Sequence, residues 1–382
     1  MEQLKLCIIG VGNRGMRHAE TALLLNDRYR LVAVCDVDER RVKEVSTQLG
    51  ISGYSDIEEM TEKEQPDVAV IAVEAEGHHV IARFLAEKKV HIITETPISI
   101  TLPCADAMIE AARANGVLLE VSENVIRWPE ERVKQQIVSS GMIGDVKRFY
   151  VSYASGSYHG IAAIRAIIGK EAVEVRGDFP TDANIRERAE MSFEGGITGV
   201  YENNAEKRNY WEIIGEKGAI KGNELHIFAA GHKYRIVTEH TRGTEAATLK
   251  RAFVATEPEI SFDNPYQQYP LAGKDDVARA DVLIGMYEAV VNGAALPYGA
   301  ENARKDIELL IAIRESAWRA NPVKLPLRAV TNHERLIDAQ FRKVYGVGLG
   351  EMSPEHLKRL FTLPGNLRSL LYTGRPAYAT QM

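Results

Sequence analysis

Leu4-Lys5-Leu6-Cys7-Ile8-Ile9 runs directly into Gly10-Val11-Gly12-Asn13-Arg14-Gly15, and the reading of these twelve residues decides the fold. Six strand-forming residues followed by GxGxxG at the head of a helix form the first βα turn of a doubly wound sheet. Glycines at these places permit a tight turn, close approach of a diphosphate to backbone N–H groups, and tight helix-to-strand packing. A second strand, Leu31 to Cys35, ends on Asp36. A carboxylate there accepts hydrogen bonds from both ribose hydroxyls of an adenosine, which favours NAD over NADP because a 2′-phosphate would face its charge. Arg14 and Arg40 are the nearby cations able to accommodate such a phosphate. Gly10, Gly12, Asn13, Arg14, Gly15 and Asp36 are therefore the candidate cofactor residues.

Working outward, further runs rich in Val, Ile and Leu at Val68 to Val73, Val90 to Thr94 and Val117 to Val121 alternate with helical stretches. Asp38 to Gly50 and Thr101 to Gly116 carry helix start and stop chemistry, and the whole has the rhythm of βαβ units feeding a parallel sheet. Trp128-Pro129 opens a helix that Gly141 stops. After Asp145 the pattern changes to strands: Val146 to Tyr153, Arg188 to Phe193, Ile197 to Tyr201, Trp211 to Ile214, Leu225 to Ala229 and Tyr234 to Thr238. Helical spacing returns over Asp275 to Val291 and Glu301 to Arg319. The expected architecture is an α/β Rossmann domain over residues 1–122, followed over 123–327 by an α+β domain with an open, mainly antiparallel sheet. The late helices are candidates to return to the first domain. Residues 328–382 form a C-terminal extension with one helix expected from Pro354 to Phe361.

The chain's 382 residues suit two or three domains rather than one small module. With 45% apolar and 26% charged residues, composition argues against a disordered or fibrous chain. A net charge of −6 offers no broad attraction for nucleic-acid phosphates. Cys7, Cys35 and Cys104 are odd in number and lack ligand spacing, which disfavours disulfides and structural zinc. The apolar runs are too short to cross a bilayer and no signal pattern opens the chain, so no membrane partner and a cytoplasmic address are expected.

The chain resembles the Gfo/Idh/MocA family over roughly Leu4 to Leu327. The matching pieces are Gly10 to Gly15, Asp36, His78 to Leu85, Glu95-Thr96-Pro97, Arg127-Trp128-Pro129, Gly141 to Gly144, His159 to Gly169 and Trp211 to Gly215. The resemblance implies an NAD(P)-dependent oxidoreductase acting on a sugar, cyclitol or related polyol, and a homo-oligomer, dimer or tetramer. It adds Val73, His78 and Glu95 to the cofactor side, with Glu95 a cofactor-side or structural carboxylate rather than a general acid. Read from their own chemistry, Asn124 and Arg127 after the fifth strand offer donors and acceptors to sugar hydroxyls or to an interdomain polar network, Ser155 is a further substrate-side candidate, and Arg165 either reaches a polar substrate or pairs with a carboxylate.

Two positions depart from the family pattern. Thr96 stands where the family usually has a lysine, and Ser155 where dehydrogenases often have an aspartate. A threonine hydroxyl orients or relays but cannot supply the lysine's charge. His159 then becomes the leading proton-transfer group, since an imidazole titrates near pH ~6.5, with Tyr158 and Thr96 as relays. Adjacent helical residues diverge by about 100 degrees, so whether Tyr158 and His159 face one substrate stays open. The same divergence counts against a metal site at His78-His79. Two alternatives to net dehydrogenation also stay open: NAD-assisted elimination or hydrolysis of a glycoside, and a non-catalytic dinucleotide sensor.

Overall fold

The computed structural model describes residues 3–153, 156–206, 209–241 and 247–357, together with 367, 368, 370, 371 and 374. The chain divides into two compact units, one drawn from Met1–Glu123, Arg279–Arg304 and Asp338–Leu363, the other from Asn124–Ala278, Lys305–Ile337 and Pro364–Met382. The C-terminal extension is thus not a unit of its own.

The first unit opens with β1 (Leu4–Ile9), α1 (Asn13–Leu24), β2 (Tyr29–Cys35), α2 (Glu39–Leu49), β3 (Ser52–Tyr54), α3 (Ile57–Glu64) and β4 (Val68–Ile71). It continues with α4 (Ala75–Glu87), β5 (His91–Thr94), α5 (Leu102–Asn115) and β6 (Leu119–Val121). All six strands are parallel, in the order β3-β2-β1-β4-β5-β6. This is the doubly wound order, whose direction of growth reverses between β1 and β4. Val68, Ala69, Val70 and Ile71 are all buried, as a strand covered on both faces requires. Asp38 caps α2 by accepting from the N–H groups of Arg40 and Arg41, and Gly50 and Gly116 end α2 and α5 in the left-handed conformation. β3 and α3 were not signalled by the strand pattern; Ser52-Gly53-Tyr54 is too short and too exposed to alternate visibly.

The second unit contains α6 (Pro129–Ser139), β7 (Val146–Ser152), α7 (Ser157–Ile168), β8 (Ala172–Asp178), β9 (Ile185–Phe193), β10 (Ile197–Asn204) and β11 (Tyr210–Gly215). These are followed by β12 (Gly218–Lys221), β13 (Glu224–Ile227), β14 (His232–Arg235), β15 (Val237–His240), β16 (Leu249–Val254) and β17 (Ile260–Asp263). Next come α8 (Lys274–Asn292), α9 (Ala300–Arg319), β18 (Val323–Lys324), α10 (Asn332–Tyr345) and α11 (Pro354–Leu357); the division between units falls inside α8, α9 and α10.

A nine-stranded sheet runs β14-β13-β12-β11-β7-β10-β9-β8-β18, antiparallel except where β10 pairs β7 in parallel. Period-two alternation sets its two faces. Along β9, Glu187, Ala189, Met191 and Phe193 are buried while Arg186, Arg188 and Glu190 are exposed. The apolar face joins Ile137 of α6, Ile161 and Ile164 of α7 and Ile313 of α9 in one core. The helix expected over Pro354 to Phe361 is present as α11, and residues 358–361 lie outside the described residues.

Candidate active site

At the end of β1 the backbone turns at Gly10 with φ +87°, a conformation that L side chains rarely adopt. A Cβ on Gly10 would lie 2.6 Å from the Ala72 carbonyl oxygen, and one on Gly15 would lie 1.9 Å from the Gly10 carbonyl oxygen. Neither site has room for a side chain. Gly12 differs, since nothing lies within 4 Å of a Cβ built there. It heads α1, whose first turn holds no side-chain cap and no acidic residue. A helix N-terminus uncapped by side chains, beside open space and behind glycine backbone, suits a diphosphate.

Asp36 sits nearly buried at the end of β2. Its Oδ2 accepts the Val11 N–H at 2.9 Å and its Oδ1 the Asp38 N–H at 3.0 Å. Oδ1 keeps a further lone pair for a ribose hydroxyl, while Oδ2 also accepts from Arg41 Nη1 at 3.5 Å. The guanidinium beside it belongs to Arg41, 3.5 Å from Oδ2. Arg40, the cation read from sequence, instead lies in solvent, 3.7 Å from Asp38.

Beyond β5, Glu95 is a buried tether. Arg14 donates from Nη2 to Oε1 and Oε2 at 3.0 and 3.1 Å, His18 Nε2 lies 2.7 Å from Oε1, and the Thr96 N–H donates to Oε2 at 3.3 Å. Burial by itself would raise this carboxyl, but the His18 hydrogen bond and the Arg14 guanidinium outweigh it and hold the group at about 2. Glu95 therefore carries charge at neutral pH and joins the first helix to the turn bearing Thr96. His78 ties the same turn from the other side, its Nδ1 3.0 Å from the Pro97 carbonyl oxygen and its Nε2 3.0 Å from that of Val73. Burial pushes this imidazole below its usual range despite those carbonyls. The neutral ring carries one N–H and donates to one of these two carbonyls, so His78 braces the cradle.

In the second unit, α7 starts after Gly156, which has φ +66°. Tyr158 and His159 follow in its first turn, with ring centroids 4.5 Å apart. A Cβ on Gly156 would lie 3.2 Å from the Tyr158 hydroxyl and 3.3 Å from His159 Nε2. Both polar atoms therefore converge on one point although their Cβ atoms diverge. Asn124 Nδ2 donates to Asp275 Oδ1 at 2.7 Å, and Trp128 Nε1 donates to the same oxygen at 2.8 Å. Asn124 Oδ1 has no protein partner among the described residues. Arg127 is buried. Of the two readings open for Arg165, the structure shows the carboxylate pairing: Nε and Nη2 donate to Glu171 at 2.8 and 2.9 Å, and Nη1 donates to Asp306. Ser155 lies outside the described residues.

Residues 4–123 match the Gfo/Idh/MocA family, described as an oxidoreductase family with an NAD-binding Rossmann fold. Residues 4–123 therefore form a domain of the Gfo/Idh/MocA oxidoreductase type. It is 26% identical over 269 residues to myo-inositol 2-dehydrogenase of Thermotoga maritima, a match covering 63% of this chain and 77% of that one. It is 32% identical over 148 residues to D-apiose dehydrogenase of Paraburkholderia graminis, covering 38% of each. Among solved structures, levoglucosan dehydrogenase in complex with NADH and L-sorbose superimposes with a TM-score of 0.68 at 19% identity. That match covers 85% of this chain and all of the other. At that identity the likeness establishes the fold.

Within this domain, sequence reading did not name His18 or Arg41. His18 was findable, because it stands four residues after Arg14 on α1 and shares its helix face. Arg41 was not, since only the phase of α2 selects it over Arg40. The Glu95 tether has a measurable signature. Its folded pKa lies below the unfolded value, so its stabilisation is fully present above pH ~4.5 and is lost as pH falls towards about 2. Glu95→Gln should therefore lower stability by about 3 kcal/mol at pH 7. Urea titrations of parent and variant should show that gap already narrowing by pH ~3.5. An equal gap at both pH values would rule out the charge as its source.

Proposed function

We propose that this chain is an NAD-dependent oxidoreductase that moves a hydride between the cofactor and a carbinol carbon of a sugar, cyclitol or related polyol. The observation that carries the reading is the convergence of the Tyr158 hydroxyl and His159 Nε2 on one point, in a chain whose other unit holds a family-type dinucleotide cradle. The names of the myo-inositol and D-apiose dehydrogenases support the substrate class.

The cradle fits NAD. The backbone of Gly10 to Gly15, with Asn13 and Arg14 in the first turn of α1, would hold the diphosphate. Asp36 would hold the adenosine ribose, and Val73 would line the edge of the turn, since a Cβ on Gly10 would lie 2.8 Å from Val73 Cγ1. When bound, NAD supplies the hydride acceptor. His159 takes the hydroxyl proton at Nε2 as the carbinol becomes a carbonyl, and returns it in the reverse direction. The Tyr158 hydroxyl orients the reacting oxygen. Asn124 Oδ1 accepts from a neighbouring substrate hydroxyl, and Thr96, fixed through Glu95, positions without charge.

Incubating the protein with NAD and a panel of inositols, aldoses, ketoses and sugar acids should produce NADH absorbance with one polyol class. Glycosides belong in the same panel. Products released from a glycoside without accumulating NADH would point to redox-assisted cleavage. Tight NAD binding with no product from any compound would replace the enzymatic reading with a sensor.

A further inference from the structure

α4 is gripped from two sides, and only one of them belongs to the cofactor cradle. On the first side, the His78 ring lies between the carbonyls of Val73 and Pro97, 3.0 Å from each, and donates to one of them. On the other side lies a segment far along the chain, residues 338–357. His79 Nε2 lies 2.8 Å from the Leu349 carbonyl oxygen. A carbonyl can only accept, so the imidazole must carry its proton on Nε2 and donate. His79, Leu349 and Met352 are all buried.

The link to the cradle is direct. A Cβ built on Gly77 would lie 3.2 Å from Leu357 Cδ2 and 3.3 Å from Val73 Cγ2. Leu357 and Val73 therefore both pack against the bare backbone of Gly77. Val73 in turn borders the Gly10 turn.

The segment is also pinned to itself. Arg342 donates to both Glu351 oxygens at 2.9 and 2.6 Å and to Asp338 at 2.9 Å. Asp338 accepts the Leu349 N–H at 2.9 Å, and Glu351 accepts the Gly348 N–H at 3.1 Å. These bonds close residues 338–351 into a loop that presents the Leu349 carbonyl in a fixed place.

We propose that residues 338–357 are a clasp on α4 and that His79 is a positioning residue for NAD. By fixing the first turn of α4, the clasp sets Val73 and, through His78, the Thr96-Pro97 turn. The proposal rests on the reading of Gly10 to Gly15 and Asp36 as the dinucleotide site. His79 touches no reacting atom in this account.

Titration of the full chain with NAD, followed by calorimetry, tests it. His79→Leu should raise the NAD dissociation constant about five- to tenfold, the scale of one buried hydrogen bond lost from a preorganised site. His79→Gln, which can donate from a similar position, should recover most of that loss. Leu357→Ala lies on the partly exposed α11 and should weaken NAD binding in the same direction while folding normally. A general loss of structure would not be rescued by glutamine and would not reproduce at Leu357. Folded His79→Leu and Leu357→Ala proteins that bind NAD as the parent does would overturn the clasp alone. A parent that takes up no NAD would overturn the cofactor reading and the clasp together.

Discussion

His159→Ala lowers turnover of the identified polyol by about 10²- to 10⁴-fold, the range of a positioned general acid–base group. The loss falls on the catalytic rate rather than on NAD uptake, because Gly10 to Gly15 and Asp36 are untouched. The upper part of the range is the better expectation here. Thr96 stands where the family resemblance leads one to look for a lysine, and a threonine hydroxyl cannot stand in for the missing imidazole. Tyr158→Phe should cost less, since it removes an orienting hydroxyl that converges with His159 Nε2 over Gly156 and leaves the base in place. A His159→Ala protein that keeps more than half of the parent's rate, with NAD binding intact, would remove His159 from the chemistry.

How much of this was legible beforehand depended on how local the cause was. β1, the glycine turn and Asp36 follow one another within 36 residues, and each is dictated by backbone chemistry that the residue types announce. Sequence reading therefore located them and the sheet they belong to. β8, Ala172–Asp178, and β16, Leu249–Val254, were passed over because their polar and charged residues dilute the alternation that marks a half-buried strand. α10 was hidden in the same way within a tail of mixed composition.

At the site, what escaped was set by conformation or by distance along the chain. Tyr158 and His159 follow Gly156, whose left-handed φ starts α7 and whose built Cβ would lie within 3.3 Å of both polar atoms. Glu95 meets His18 across 77 residues, and Arg165 meets Asp306 across 141. No pattern within a helix or strand signals such pairs. The resemblance therefore suggested which residue types to inspect, while burial and partners distinguish a brace such as His78 from a group free to meet a ligand.

Arg165 gives the second large effect, and it separates those two possibilities most sharply. The guanidinium is buried with Asp306 and bonds Glu171 through two further nitrogens. Its charge is favoured, because the Asp306 and Glu171 carboxylates outweigh a burial that by itself would disfavour it. Arg165→Met keeps much of the side chain's volume and leaves Asp306 buried without its cation. Breaking a buried pair from one side costs about 3–5 kcal/mol. That loss should appear as a lower urea midpoint with an unchanged slope.

The pH dependence carries a definite sign. Without the Arg165 guanidinium, the buried Asp306 carboxylate takes up a proton more readily in the folded variant than in the folded parent, so the variant gains ground on the parent as pH falls. Arg165→Met with Asp306→Leu should recover most of the loss, since replacing both members of a buried pair by apolar groups is often close to neutral. Lys305, 2.9 Å from Glu171, remains to pair with the carboxylate left over. If Arg165→Met instead kept the parent's stability and raised only the substrate KM, the guanidinium would be free to meet a ligand. A substrate contact would then outrank the ion pairs seen in the fold.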